Sequence, residues 1–401
     1  MRIAFNFFLP QRTQSKRGER EIFYGIAALH VLFFERSTKG KFFGNIEAEN
    51  FAAIAIMEYK KLGDSDLSVS EICLGTMTYG QQNTVEEAAQ QLDFAIDRGI
   101  NFIDTAEMYP VPGKAETQGK TEEYIGEWLA KQQRDKVIIA TKVAGRSTRL
   151  KWIREGKNQI DRPNVEKALN DSLKRLQTDY IDLYQIHWPD RYVPLFGAPD
   201  YDLAQEHETV PILEQLEVFA DLIKAGKIRY LGLSNETPWG VCEFCTLAEK
   251  HGLPKVVSIQ NAFSLSNRTF HLNLAETCRF KNVGLMAYSP LGFGLLTGKY
   301  LNGIPENSRL ALFAGFGQRY DKTNLNDAVK AYVEIAGKHG ISPAQMALAY
   351  VRSRWFVTST IIGATSLEQL EENIGSLEVN LDREIVAEID AVHAKYPNPT
   401  P

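Results

Sequence analysis

The sequence predicts a closed α/β barrel, (β/α)8, in the TIM-barrel arrangement, and three observations carry that reading. Short β-rich apolar runs alternate with amphipathic helical stretches in one unbroken series of eight pairs, the pattern of parallel strands joined by crossover helices. The chain has 401 residues, 44% hydrophobic and 24% charged, enough for a large core and within the size that one barrel reaches. No Gly-x-Gly-x-x-Gly follows the first strand and no Tyr-x-x-x-Lys occurs, which disfavours an open dinucleotide-binding sheet.

In chain order, a hairpin comes first, 59–63 and 67–71 around Asp64-Ser65-Asp66, suited to capping the barrel's bottom. Strands are expected at 72–77, 101–106, 137–143, 180–188, 228–235, 256–261, 284–289 and 360–364. Helices, with apolar residues at three- and four-residue spacing, are expected at 85–98, 121–131, 165–176, 212–225, 240–251, 272–280, 328–339 and 367–377. Thr84 before Glu86-Glu87 and Pro163 mark helix starts, and Gly99, Gly226, Gly252 and Gly340 mark ends. Extra helices are expected at 342–354 and 382–396. The loops 189–210 and 290–326 exceed ordinary connection length, and on a barrel the loops after strands form the face where chemistry sits.

Composition excludes other classes. The net charge is −5 with acids and bases interspersed, so no broad basic face awaits a nucleic acid backbone. Four cysteines in a chain this long make no disulfide framework, which points to a reducing compartment, the cytoplasm. The apolar run 22–34 is interrupted by Gly25 and His30 and is shorter than the roughly 20 residues that span a bilayer; no membrane association is expected.

Polar residues at the carboxyl ends of barrel strands face the active site while strand bodies fill the core. Asp104 ends the second strand with Tyr109 five residues on, Lys142 lies on the third, and His187 on the fourth. A lysine in an apolar strand needs a partner, and Asp104 is the natural one. An ammonium beside a phenol is expected to lower the phenol's pKa, making Tyr109 a candidate general acid. An imidazole N–H from His187 suits a developing alkoxide. Singly, each except Lys142 reads as packing or a structural pair; jointly they suit carbonyl reduction, a donor giving hydride to carbon while Tyr109 protonates oxygen.

Gly75-Thr76-Met77, the segment from Asp104 to Tyr109, Thr141-Lys142, Gln185-Ile186-His187-Trp188 and Leu233-Ser234-Asn235 together resemble the aldo-keto reductase superfamily, across essentially all of 57–401. The likeness is strongest to its bacterial Tas-type branch, itself similar to the potassium-channel β-subunit branch. The resemblance implies NADPH binding without a Rossmann domain, with Asp104, Tyr109, Lys142 and His187 as the catalytic tetrad. It implies that Ser234, Asn235 and Gln260 hydrogen-bond the nicotinamide carboxamide and that Tyr288 stacks on its ring. Gly75, Thr76, Met77, Ser289, Pro290, Leu291 and Gly292 would line the cofactor channel. Lys299 and Arg309 would supply cations for its phosphates, Gly363 and Thr365 lead into a helix N-terminus that accepts an anion, and Gln369, Glu372 and Asn373 would reach the adenosine.

Many superfamily members place Lys and Arg where this chain has Gly363 and Gln369; the channel-subunit-like branch shares that replacement and uses NADPH. The substrate, a small carbonyl compound, would meet Tyr79, Tyr109, His187 and Trp188. Two rivals remain: a cofactor-loaded regulatory barrel that reports redox state with slow or no turnover, and a lyase using Lys142 as a Schiff base.

Other motifs are set aside. Cys242 and Cys245 form a C-x-x-C inside a helical pattern with no second pair, and both read as packing residues. GFGLLTGK fails the P-loop spacing at Phe293. His207, His251, His271 and His339 read as surface histidines without partners at ligand spacing, and no metal is expected.

Residues 1–56 carry eight Lys/Arg and five Asp/Glu, opposite in net sign to 57–401. They read as an extension outside the barrel domain 57–401, disordered or not native, with Met57 as the expected biological start. Intact mass of protein from its native source tests this: the mass expected is that of 57–401, and one that includes 1–56 rejects it.

Overall fold

A computed structural model describes residues 57–198, 200–313, 315 and 317–400; the expectations for 1–56 lie outside these described residues. The chain opens with an antiparallel hairpin, β1 (Tyr59–Lys61) with β2 (Ser68–Ser70), Tyr59 opposite Ser70. The strands β3 (Ile72–Gly75), β4 (Phe102–Asp104), β5 (Ile138–Val143), β6 (Ile181–Ile186), β7 (Ile228–Ser234), β8 (Val256–Ala262), β9 (Gly284–Tyr288) and β10 (Val357–Ile362) pair in parallel, and β10 meets β3 to close an eight-stranded barrel. This is the (β/α)8 fold that the alternating pattern predicts.

Around it lie α1 (Val85–Asp97), α2 (Lys120–Leu129), α3 (Arg162–Leu176), α4 (Ile212–Lys224), α5 (Pro238–His251), α6 (Thr269–Leu272), α7 (Leu274–Lys281), α8 (Arg309–Leu312), α9 (Leu325–Lys338), α10 (Pro343–Arg352), α11 (Leu367–Gly375) and α12 (Arg383–Lys395). Thr84 starts α1 with a full capping box to Glu87, and Asp161 and Thr237 cap α3 and α5 ahead of Pro163 and Pro238. The helix expected at 272–280 is two pieces, because Asn273 departs from helical geometry between α6 and α7. No helix among the described residues is long and apolar enough to cross a membrane.

Side-chain alternation sorts the core into two layers. Cys73, Phe102, Ile138, Ala140, Leu183, Val257, Met286 and Ile361 fill the barrel interior, and Leu62, Leu67 and Val69 from the hairpin region pack into the same cluster. The hairpin therefore closes the bottom, as expected. A larger cluster lies between barrel and helices, with Leu74, Ile103, Ile139, Tyr184 and Ile186 meeting Leu92, Ile125, Leu169 and Phe219. Cys245 and Cys278 are buried but Cys242 is exposed; the packing role expected of Cys242 is corrected, since it falls on the solvent face of α5.

Helix α2 meets α3 so closely that a Cβ on Gly126 would lie 2.0 Å from the Arg175 carbonyl oxygen. Alanine normally favours a helix over glycine by about 1 kcal/mol, but here the overlap dominates. Gly126→Ala is expected to destabilise the fold by about 1–3 kcal/mol, read as a lower urea midpoint.

Candidate active site

The alternation that turns Phe102, Ile138, Ala140 and Leu183 inward also turns Asp104, Lys142 and Gln185 inward, one step nearer the carboxyl ends of their strands. The bottom of the cylinder is filled by apolar side chains, so these polar groups collect at the top. Lys142, 0% exposed, donates to Asp104 Oδ2 at 2.7 Å, to the Thr105 carbonyl at 2.7 Å and to Tyr109 Oη at 3.5 Å. The His187 ring stands edge-on to the Tyr109 ring at 5.8 Å, with its backbone N–H bonded to the Val143 carbonyl. All four residues expected to act together are thus brought to one place.

Tyr109 is held from both sides: its N–H donates to the Ala106 carbonyl and its own carbonyl accepts from Gly119. Two residues earlier, buried Glu107 accepts from the Ala144 N–H and from Arg154 Nη1, both at 2.6 Å. That pair ties the Tyr109 loop to the loop after β5. Arg154 and Glu155 both have positive φ, 47° and 56°, conformations that persist only where the surroundings impose them. Sequence reasoning missed this clamp, because nothing in spacing alone links Glu107 to Arg154.

Electrostatics corrects one expectation. Burial pushes the Tyr109 phenol above the ordinary tyrosine range, and the nearby Lys142 ammonium only partly offsets it. The phenol keeps its proton at neutral pH. Burial opposes the Lys142 charge, yet Asp104 and Tyr109 hold its pKa above the usual lysine value. Burial, with Lys142 behind it, holds the His187 imidazole well below the usual histidine value, and its Nδ1 has no hydrogen-bond partner among the described residues. An acid, a fixed cation and a neutral imidazole thus share one pocket.

The residues expected to hold a cofactor ring the same opening. Thr76 donates twice to the Asp104 carbonyl, Met77 accepts from Val111, and a Cβ at Gly75 would strike Ile361. Ser234 Oγ donates to the Gln260 carbonyl, Asn235 Nδ2 donates to the His187 carbonyl at 2.9 Å, and Tyr288 Oη donates to Asn235 Oδ1 at 2.7 Å. Gln260 Nε2 donates to Asp104 Oδ1 at 2.8 Å. Asn235, Ser289 and Phe293 sit at positive φ, with Gly292 and Gly294 between and beside them; Pro290 is buried and Leu291 half-buried. Side chains forced into that region cluster at ligand-binding sites.

Further along, Arg309 is half-buried with its guanidinium over the Phe293 ring at 4.9 Å, and burial lowers its pKa. No carboxylate among the described residues pairs with Arg309 or Lys299, and Arg309 Nε and the Tyr300 hydroxyl lack hydrogen-bond partners. A half-buried cation without a counter-ion among the described residues, beside an orphaned hydroxyl, fits a ligand phosphate. Gln81 and Gln82 also carry buried amide atoms without partners; sequence reasoning passed them over. Across the opening, Gly363 accepts from Asn373 Nδ2, Thr365 donates to Gln369 Oε1, and Glu372 accepts from Ser342 on the loop before α10. Asn373 is buried while Gln369 and Glu372 are exposed.

On the substrate side, Trp188 lies 4.7 Å from the His187 ring, donates to the Arg146 carbonyl, and packs with Met108, Leu150 and Ile153. Tyr79 does not join it. Its ring is wholly buried in the core and its hydroxyl donates to Gln91 on α1, so the substrate contact expected of Tyr79 is corrected: the loop after β3 folds that side chain inward. The histidine reading holds for His207, which is exposed, and needs correction for His339. His207 bonds the Asp190 carbonyl, and His339 Nε2 lies 3.2 Å from Glu388, with Glu384 close by. The Lys338 ammonium pairs with both carboxylates, which makes that cluster an ion-pair node.

A closed (β/α)8 barrel with Asp, Tyr, Lys and His converging at its carboxyl face defines an oxidoreductase of a class that works without a Rossmann domain. The aldo/keto reductase family model matches residues 71–394, and the chain belongs to that family. It is 52% identical over 348 residues to protein tas of Escherichia coli, covering 86% of this chain and all of that protein. It is 32% identical to L-glyceraldehyde 3-phosphate reductase of Escherichia coli, covering 83% and 92% of the two chains. It is 33% identical to a putative voltage-gated potassium channel subunit beta of Schizosaccharomyces pombe, with the same coverage. The family acts on small carbonyl substrates and generally uses NAD(P)H.

Because His187 takes up a proton in the unfolded chain near pH 6.5 but resists it in the folded one, the unfolded state binds more protons just below that value. Stability is then expected to fall as pH drops below 6.5. Urea midpoints measured from pH 6.5 down to about pH 5 should fall more steeply for the native chain than for His187→Asn.

Proposed function

We propose that the protein reduces an aldehyde or ketone to an alcohol with NADPH, in the manner of an alcohol dehydrogenase of the NADP+ type, and that Tyr109 is the general acid. The observation that carries this reading is Tyr109 Oη at 3.5 Å from an ammonium that Asp104 fixes at 2.7 Å. NADPH, when bound, supplies the hydride that adds to the carbonyl carbon.

The chain's own groups do the rest. His187, neutral and with its Nδ1 unpartnered among the described residues, presents an N–H to the carbonyl oxygen and orients it. Tyr109 gives that oxygen a proton as negative charge develops there. Lys142 stabilises the phenolate left behind, Asp104 keeps Lys142 charged, and solvent returns the proton. Ser234, Asn235 and Gln260 hold the carboxamide, and Tyr288 lies against the ring. Gly75, Thr76, Met77, Ser289, Pro290, Leu291 and Gly292 line the channel, Gly363, Thr365, Gln369, Glu372 and Asn373 flank the adenosine, and Trp188 borders the substrate.

The preference for NADPH rests on Arg309 and Lys299, both without a protein carboxylate among the described residues, beside the Tyr300 hydroxyl. The four free cysteines support a cytoplasmic location. The barrel domain is read as 57–401.

Oxidation of NADPH against a panel of aldehydes, ketones and quinones tests the reading, with turnover expected. Tyr109→Phe should retain NADPH binding, measured by fluorescence, while turnover falls by about two to four orders of magnitude. Retained turnover in that variant removes Tyr109 from the role; tight retention of oxidised cofactor with no turnover in the native chain favours the regulatory barrel instead.

A further inference from the structure

Gln185 has no role in the reading above, yet it is 0% exposed and lies at the centre of the site. Its Nε2 donates to Asp104 Oδ1 at 3.3 Å, and its Oε1 accepts from Gln260 Nε2 at 3.3 Å. Gln260 Nε2 also donates to Asp104 Oδ1 at 2.8 Å. These three residues come from β4, β6 and β8, alternate strands of the barrel, and so occupy one layer of the interior. Such layers are ordinarily filled by branched apolar side chains. Here the layer is polar, and space for it is left by Gly232 on β7, where a Cβ would lie 3.0 Å from Gln185 Cγ.

The consequence concerns the two oxygens of Asp104. Oδ2 faces the Lys142 ammonium, while Oδ1 is turned into the barrel and is met by two amide N–H groups. A buried carboxylate whose second oxygen went unmet would suffer the full cost of its desolvation. Gln260 is also the residue proposed to serve the nicotinamide carboxamide, so its amide has two claims on it. Gln185 has one.

We propose that Gln185 is a positioning residue of the proton-transfer machinery, holding Asp104 Oδ1 so that Oδ2 stays on Lys142 while Gln260 is free to turn to the cofactor. This rests on the assignment of Tyr109, Lys142 and Asp104 to proton transfer. Gln185 touches neither substrate nor cofactor and acts through Asp104. Without its donor, the Asp104 charge is less neutralised and weighs more heavily against a phenolate at Tyr109, so the phenol holds its proton to higher pH. The titratable groups facing Tyr109 are Lys142, Asp104, His187 and Tyr288, with Cys73 of β3 lying against Asp104 and Lys142.

The test uses Gln185→Met, close in volume and without a donor, and Gln185→Leu, which removes the same group in a different shape. The full chain is labelled with 3-fluorotyrosine, whose phenol is more acidic than that of tyrosine, and titrated by 19F NMR without cofactor. The Tyr109 signal is assigned by its loss in Tyr109→Phe. Both variants should ionise Tyr109 later than the native chain, by roughly one pH unit. In turnover, the alkaline limb of kcat should move up by a similar amount while the NADPH dissociation constant stays within about twofold. Leu183→Ala, which empties a neighbouring apolar site of the same interior, should lower the melting temperature without moving either titration. An unmoved Tyr109 ionisation in either folded Gln185 variant overturns the proposal. Absence of turnover in the native chain would overturn the reductase reading alone, because the NMR titration does not depend on it.

Discussion

The ion pair between Lys142 and Asp104 is the constraint around which the rest of the barrel's upper half is arranged. Both side chains are buried, so each charge has given up its hydration and depends on the other. A buried pair of this kind contributes little net stability, but removing either partner leaves an uncompensated charge at a cost of about 3–5 kcal/mol. Geometry must therefore be exact enough to keep the pair satisfied, and that requirement extends outward. The Thr105 carbonyl takes a second proton of the ammonium, two glutamine amides take the far oxygen of the carboxylate, and Tyr109 receives what remains of the ammonium's donor capacity.

The loops that carry the other groups are tied down by buried ion pairs of their own. Glu107 with Arg154 joins the loop after β4 to that after β5, and Arg191 with Glu236 joins the loop after β6 to the end of β7. Trp188 and Asp190 tie the loop after β6 back to Arg146 in the loop after β5. Each clamp lies beside a site residue: Glu107 beside Tyr109, Trp188 beside His187, Glu236 beside Asn235. Loops are ordinarily the mobile part of a barrel, and a proton donor that must sit within hydrogen-bond reach of substrate needs such anchoring.

Much of this was legible in the sequence, for a physical reason. Barrel strands are buried on both faces, so a charged or polar residue inside one stands out against its neighbours; Asp104, Lys142 and His187 were visible on that ground, and the period of two says that they face inward together. Tyr109 was visible only through its distance from Asp104. What escaped was whatever depends on three-dimensional neighbours. The ring of Tyr79 turns inward although its sequence position resembles a rim residue. The direction of the Tyr109 shift depends on how far burial outweighs Lys142, and spacing holds no information about that balance. Gln185 was in plain sight in Gln-Ile-His-Trp, one inward step below His187, but a glutamine carries no charge and drew no question about its partner.

The split between the two ends of the barrel follows from one asymmetry. At the bottom, Leu62, Leu67 and Val69 from the hairpin region seal the cylinder with apolar side chains. Water is excluded there, and the interior can be packed without polar groups. At the top no such plug exists, and the same inward-pointing positions carry Asp104, Lys142, Gln185 and Gln260. Polar groups in this position are tolerable only if nearly every one is partnered; Asp104, Lys142, Gln185 and Gln260 all are, while Ser258 Oγ, Thr105 Oγ1 and the buried Nδ1 of His187 are not, among the described residues. His187 is the titratable one among these, and its ring stands edge-on to that of Tyr109, where a carbonyl oxygen would have to sit to receive the phenol's proton.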